Sequence, residues 1–116
     1  MTTMETPIKG IIPPMITPLA SYEKLDNQGL TNLIEHLISG RVHGLFILGT
    51  NGEAPSLSYE LRKEVIKRTC DQVNNRVPVF VGITDTSLKG SIELAEYSKD
   101  VGANAVVLAP PYYFPV

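Results

Sequence analysis

Apolar positions along the chain change their period in a regular alternation, and each change marks an element. Ile11, Ile12, Met15 and Ile16 form a short apolar stretch interrupted by Pro13 and Pro14 and followed by Thr17, Pro18 and Leu19. Proline cannot donate to a ladder, so this stretch reads as a strand suited to a sheet edge or to the first position of a barrel. Asp26 then stands as an N-cap. Leu30, Leu33, Ile34, Leu37 and Ile38 recur at the three-and-four spacing of one buried helical stripe, and Gly40 stops it.

Val42–Leu48 is apolar throughout apart from His43 and Gly44. It is too short for another helix, and strands buried on both faces read this way. Ser58 offers the next N-cap, and Leu61, Val65, Ile66, Thr69, Cys70 and Val73 give a second helical stripe ending near Asn74 and Asn75. Val77–Ile83 is a third strand. Ser87–Val101 is a third helix with Leu88, Ile92, Leu94 and Ala95 turned to the core and Gly102 as its stop, and Ala105–Ala109 is a fourth strand. The order βαβαβαβ, with a strand about every thirty residues, predicts an α/β fold with a parallel sheet or barrel built from right-handed crossovers. No linker or domain boundary interrupts it.

Composition narrows the function classes. Of 116 residues, 43% are apolar and 19% charged, the balance of a packed core. A net charge of −2 with scattered Lys and Arg gives no basic field, so nucleic acid is not an expected partner. One cysteine cannot build a disulfide framework or a metal cluster, which points to a reducing compartment. Met1–Gly10 carries no apolar core of a secretory segment, and no run approaches the roughly 18 residues of a membrane span. The expectation is a cytoplasmic protein without membrane or metal.

In a parallel arrangement the carboxyl ends of all strands lie on one face, and that face carries the binding site. The four exits are Thr17–Leu19, Gly49-Thr50-Asn51-Gly52-Glu53, Thr84-Asp85-Thr86, and Pro110–Pro115 with Tyr112 and Tyr113. They bring hydroxyls, amides and phenols to one rim, without a lysine or arginine before Lys89. Glycines flanking Thr50 and Asn51 allow backbone N–H groups to converge on a carboxylate or oxyanion, helped by the Thr50 hydroxyl and the Asn51 amide. The competing reading is a tight βα turn that satisfies only its own backbone. Two phosphate motifs are excluded: the stretch lacks the Lys-Ser/Thr ending of a P-loop, and GTNGE is not GxGxxG. His36 and His43 read as structural or surface residues, Cys70 as an inert core thiol, and the charges along Glu60–Arg68 as a solvated helix face.

GTNGEAPSLS after a buried strand, ITPL at the first exit, VFVGIT at the third and APPYYFP at the fourth resemble, in order and spacing, the dihydrodipicolinate synthase and N-acetylneuraminate lyase family. The resemblance runs from about Lys9 to Val116. It implies that the chain is the first half of a (β/α)8 TIM barrel, and that the chemistry is class I aldolase or lyase chemistry on pyruvate or another 2-keto acid. It also implies a homotetramer and no organic cofactor, a lysine serving as electron sink. By the same resemblance Thr50 is a catalytic proton-relay residue and carboxylate ligand, with Gly49 and Asn51 binding substrate beside it. Tyr113 is the phenol that joins the relay across a subunit interface, Tyr112 is packing, and Glu53 pins the loop. Asn51 stands where many members carry a second hydroxyl residue.

Class I chemistry needs an amine that attacks the ketone. The family's lysine belongs to the sixth strand, and Lys9, Lys24, Lys63, Lys67, Lys89 and Lys99 fall in the leader, loops and helices. The expectation is therefore part of a lyase that is inactive alone. The alternative is a non-catalytic half barrel that acts as an assembly module, and a third reading is an unrelated βα barrel that binds phosphate at the rim.

Overall fold

Val79–Gly82 (β4) is buried at every position, as the VFVG run requires of a strand covered on both faces. It forms the middle of a three-stranded parallel sheet, between Leu45–Ile47 (β3) and Ala105–Val107 (β5), with Leu45 opposite Val79 and Phe80 opposite Ala105. The computed structural model describes residues 4–110. Leu19–Ser21 (β1) and Lys24–Leu25 (β2) make a small antiparallel hairpin ahead of the sheet.

The stretch Ile11–Ile16 does not become a regular strand. It lies beside β3 through one parallel bridge, Pro14 with Phe46. The Phe46 N–H donates to the Pro13 carbonyl at 3.1 Å, and the Met15 N–H to the Phe46 carbonyl at 2.8 Å. Pro13 and Pro14 have carbonyls to offer and no N–H, so only part of a ladder can form. The hairpin that follows was not expected from the sequence. Its strands have three and two residues, too short for a period to register. Lys24 accordingly lies in β2 rather than in a loop.

The three helices start where their caps stand. Asp26 accepts from the Gly29 N–H at 2.9 Å at the head of Asn27–Ser39 (α1), Ser58 from the Leu61 N–H at 3.2 Å at the head of Tyr59–Val73 (α2), and Ser87 from the Gly90 N–H at 3.1 Å at the head of Leu88–Asp100 (α3). Each satisfies one of the backbone donors that a helix leaves open. Asn74 ends α2 in the left-handed conformation, and Gly102 follows α3 at φ +103°.

On α2 the whole stripe Leu61, Val65, Ile66, Thr69, Cys70 and Val73 is buried. Burial pushes the Cys70 thiol up to about 11, which leaves it protonated and unreactive at neutral pH. Arg62 corrects the expectation of a solvated charge face, for it is buried as well. Helix α3 corrects another. Leu88 and Ile92 are exposed, and Ser91, Leu94 and Ser98 face the core. The small serines fit a packed interior, and Ser98 Oγ donates its hydrogen bond to the Leu94 carbonyl at 2.7 Å.

Outside the core, Arg76 clasps both carboxylate oxygens of Glu35 at 2.9 and 2.7 Å, and Gln72 adds a bond at 2.9 Å, tying α1 to α2. The Arg76 bond, then the Gln72 bond, holds the Glu35 carboxyl down to about 2 from its ordinary 4.5. A depressed carboxyl stabilises the fold above its unfolded value and loses that contribution as pH falls through the folded value. Glu35→Gln is therefore expected to lower stability at pH 7 by a small, salt-sensitive amount. The gap from the unsubstituted protein should close between pH 4.5 and 2, as read by urea midpoints across pH. A second expectation concerns Thr69, whose Oγ1 is fully buried without a hydrogen-bond partner. Thr69→Val should raise stability by about 1 kcal/mol, because it removes an unsatisfied polar group at nearly constant volume. A fall in the urea midpoint would contradict this.

Candidate functional site

The carboxyl end of β3 turns sharply. Leu48 takes φ +60°, a left-handed conformation that costs a leucine about 1–2 kcal/mol, and its side chain is buried. Gly82, at the end of β4, permits the turn. A Cβ there would run into the Leu48 carbonyl oxygen and lie 2.8 Å from its carbon. The close approach turns the chain away from the ladder, so residues 49–53 stand over the strand exits.

Two bonds from outside and one turn of its own hold this loop here. The buried Thr17 hydroxyl donates to the Gly52 carbonyl at 2.7 Å. The Glu53 N–H closes a turn onto the Thr50 carbonyl at 3.0 Å and leads into the 3-10 turn Ala54–Ser56. Glu23, in the bend between β1 and β2, accepts from the Ser58 N–H at 3.1 Å. The unexpected hairpin thus serves to anchor the far end of the loop. The Glu53 contribution comes from its backbone, at φ +55°, while its carboxylate is exposed.

Beneath the loop lies a cleft of about 550 Å³. Gly49 and Thr50 line it, together with Phe46, Gly82, Thr84 and Ala109 from the strands and their exits. Thr84 accepts from the Ala109 N–H at 3.0 Å, which joins the exits of β4 and β5 into one wall. Among the described residues no lysine or arginine lines the cleft, and Glu53 is its one charged group. The N–H groups of Thr50 and Asn51 have no backbone acceptor among the described residues. Oriented N–H dipoles and a hydroxyl can receive a small anion without a formal positive charge.

The structure therefore brings Thr50 and Gly49 to one cleft. Asn51, the next residue, is exposed and stands outside the lining. Tyr112 and Tyr113 lie outside the described residues. Phe46 and Gly82 are among the lining residues that escaped sequence reasoning, because they sit within strand runs and read as core. Their signal was positional: Phe46 is only half-buried between the buried Leu45 and Ile47, so alternation turns it to the cleft side. His36 and His43 are exposed, and His43 Nδ1 accepts from the Ile11 N–H at 2.9 Å far from this cleft, at the opposite end of β3.

Comparison with known proteins agrees with this architecture. Residues 7–116 match the model of the dihydrodipicolinate synthetase family. A 4-hydroxy-tetrahydrodipicolinate synthase of Methanocaldococcus jannaschii is 43% identical over 105 residues, 90% of this chain and 36% of that protein. The solved dihydrodipicolinate synthase of Bacteroides thetaiotaomicron superposes with a TM-score of 0.94 at 57% identity, covering 97% of this chain and 38% of the other. YagE of E. coli K12, solved in complex with pyruvate, superposes at 0.91 with 39% identity, over 96% of this chain and 37% of YagE. The chain thus spans little more than a third of the length of these relatives, and its sheet and helices correspond to part of their TIM barrel. Matched by that family's model over residues 7–116 and sharing its parallel-strand architecture with the solved relatives, the chain belongs to the dihydrodipicolinate synthetase family.

Proposed function

We propose that this chain supplies the keto-acid-binding face of a Schiff-base-forming carbon–carbon lyase acting on pyruvate or a related 2-keto acid. The observation that carries this reading is the cleft at the strand exits, which has no lysine or arginine among its described lining residues and at which the N–H groups of Thr50 and Asn51 have no backbone acceptor among the described residues. Membership of a lyase family, and the pyruvate complex of YagE, support the same substrate class.

In this reading the Thr50 hydroxyl donates to the substrate carboxylate and relays a proton as the carbon–carbon bond forms or breaks. Gly49 and Thr50 offer their N–H groups to the same carboxylate from the cleft lining, and Asn51 offers its N–H and amide from the exposed rim beside them. Tyr113 continues the relay from a neighbouring copy in a homo-oligomer. The amine comes from a lysine outside these 116 residues. It attacks the ketone, loses water to form the Schiff base, and withdraws electrons from the carbon that reacts. None of the described lysines lines the cleft, and each belongs to the leader, the hairpin or a helix, away from the buried position in which an amine's pKa falls.

A second reading, a non-catalytic assembly module, is favoured by one feature: the outer edge of β5 is unpaired within the described sheet, and Leu88, Ile92 and Leu108 are exposed nearby in sequence. A chain that forms stable oligomers and does not bind pyruvate would support it over the lyase reading.

Two outcomes test the lyase reading. After treatment with pyruvate and borohydride, the intact mass of this chain should remain at 12.7 kDa, because no lysine of its own forms the imine. A stable pyruvyl adduct would overturn the assignment of the amine. Thr50→Val should weaken pyruvate binding about tenfold, the loss of one hydrogen bond to a charged group. Unchanged affinity by calorimetry would remove Thr50 from the site.

A further inference from the structure

Helix α2 opens with a cation unlike the others on its face. Arg62 is 6% exposed, and its Nε donates to the Leu57 carbonyl at 3.0 Å, where the 3-10 turn ends. Its guanidinium lies over the Tyr59 ring, 4.9 Å from the centroid, within the range of a cation–π contact. These partners are a carbonyl and an aromatic face rather than a carboxylate. Removing a guanidinium from water to hold one turn carbonyl is unfavourable unless the turn must be held.

Tyr59 carries the connection onward. Its hydroxyl donates to Asp85 Oδ2 at 2.6 Å, a short charge-assisted bond. That bond, above all, raises the Tyr59 pKa, so the hydroxyl keeps its proton across the neutral range. Asp85 directly follows Thr84, which lines the cleft and bonds to Ala109. Gly90 makes the placement of Asp85 feasible, because a Cβ on it would collide with Asp85 Oδ2 and come within 3.5 Å of the Tyr59 hydroxyl. The path therefore runs from the end of the Thr50 loop through α2 to the exits of β4 and β5. None of Tyr59, Arg62 and Asp85 lines the cleft.

We infer that Arg62, Tyr59 and Asp85 are positioning residues: together they brace the loop 49–57 against the exits of β4 and β5 and so fix the distance between Thr50 and Thr84 across the cleft. The inference rests on the keto-acid reading of that cleft for its functional consequence and on geometry alone for its structural one. Loss of the brace lets the loop drift from the wall, which weakens a small ligand that spans both.

Tyr59→Phe is the discriminating variant, since it keeps the ring beneath Arg62 and removes only the bond to Asp85. The expected result is a thermal midpoint close to that of the unsubstituted chain, displaced amide signals for Thr50 and Thr84 in nitrogen-15 spectra, and pyruvate affinity weakened about three- to tenfold. Asp85→Asn, whose amide oxygen can still accept from Tyr59, should retain most of the affinity. Unmoved Thr50 and Thr84 signals in Tyr59→Phe overturn the brace. Unchanged pyruvate affinity in Tyr59→Phe, beside measurable binding by the unsubstituted chain, overturns its functional role. If the unsubstituted chain does not bind pyruvate, the keto-acid reading fails, and the amide signals alone decide the brace.

Discussion

The close approach of β3 and β4 at their carboxyl ends governs what this chain can present to a ligand. Gly82 leaves room for the Leu48 carbonyl, and Leu48 in turn adopts a left-handed conformation that leucine ordinarily avoids. Burial of the Leu48 side chain in the core holds the unfavourable backbone in place. Were the strands farther apart, the chain could leave β3 along the strand axis and carry Thr50 away from the sheet. With the approach as it is, the loop folds across the exits and the cleft forms below it.

Around that turn, the weaker elements acquire their purpose. The segment 11–16 forms only half a ladder with β3, yet it delivers Thr17 to the Gly52 carbonyl. The hairpin of β1 and β2 buries little, yet Glu23 at its bend secures Ser58, itself the cap of α2. Arg62, one turn into the same helix, takes the Leu57 carbonyl. A loop rich in small residues would be mobile by composition, and these three bonds from three separate elements fix it. A binding loop held from outside can leave its own N–H groups for a ligand, which is the property a carboxylate cradle requires.

Much of this was legible in the chain itself, and the failures have physical reasons. Asp26, Ser58 and Ser87 announced the helix starts, because a cap is a local bond that sequence alone specifies. The stripe on α2 was readable because six apolar or small residues repeat there without interruption. On α3, apolar character does not decide the buried face: Leu88 and Ile92 are exposed, whereas Ser91 and Ser98 are buried, where their small size counts for more than their hydroxyls. Arg62 misled in the opposite sense, its long stem and planar head being suited to burial against a ring and a carbonyl. The prolines at 13 and 14 were visible, but how much of a ladder survives them depends on which groups of β3 face them. Of the site, Gly49 and Thr50 line the cleft at the strand exits, while Phe46 and Gly82 could be assigned to it only once the register of β3 and β4 was known.

The central claim is that the loop after β3 receives a carboxylate through backbone N–H groups and the Thr50 hydroxyl rather than through a cation. Titration of the nitrogen-15-labelled chain with pyruvate and, separately, with its uncharged amide tests this most directly. The account predicts that pyruvate moves the Thr50 and Asn51 amide signals in a saturable way and that pyruvamide leaves them in place. Equal responses to both ligands, or no response to pyruvate, would contradict it.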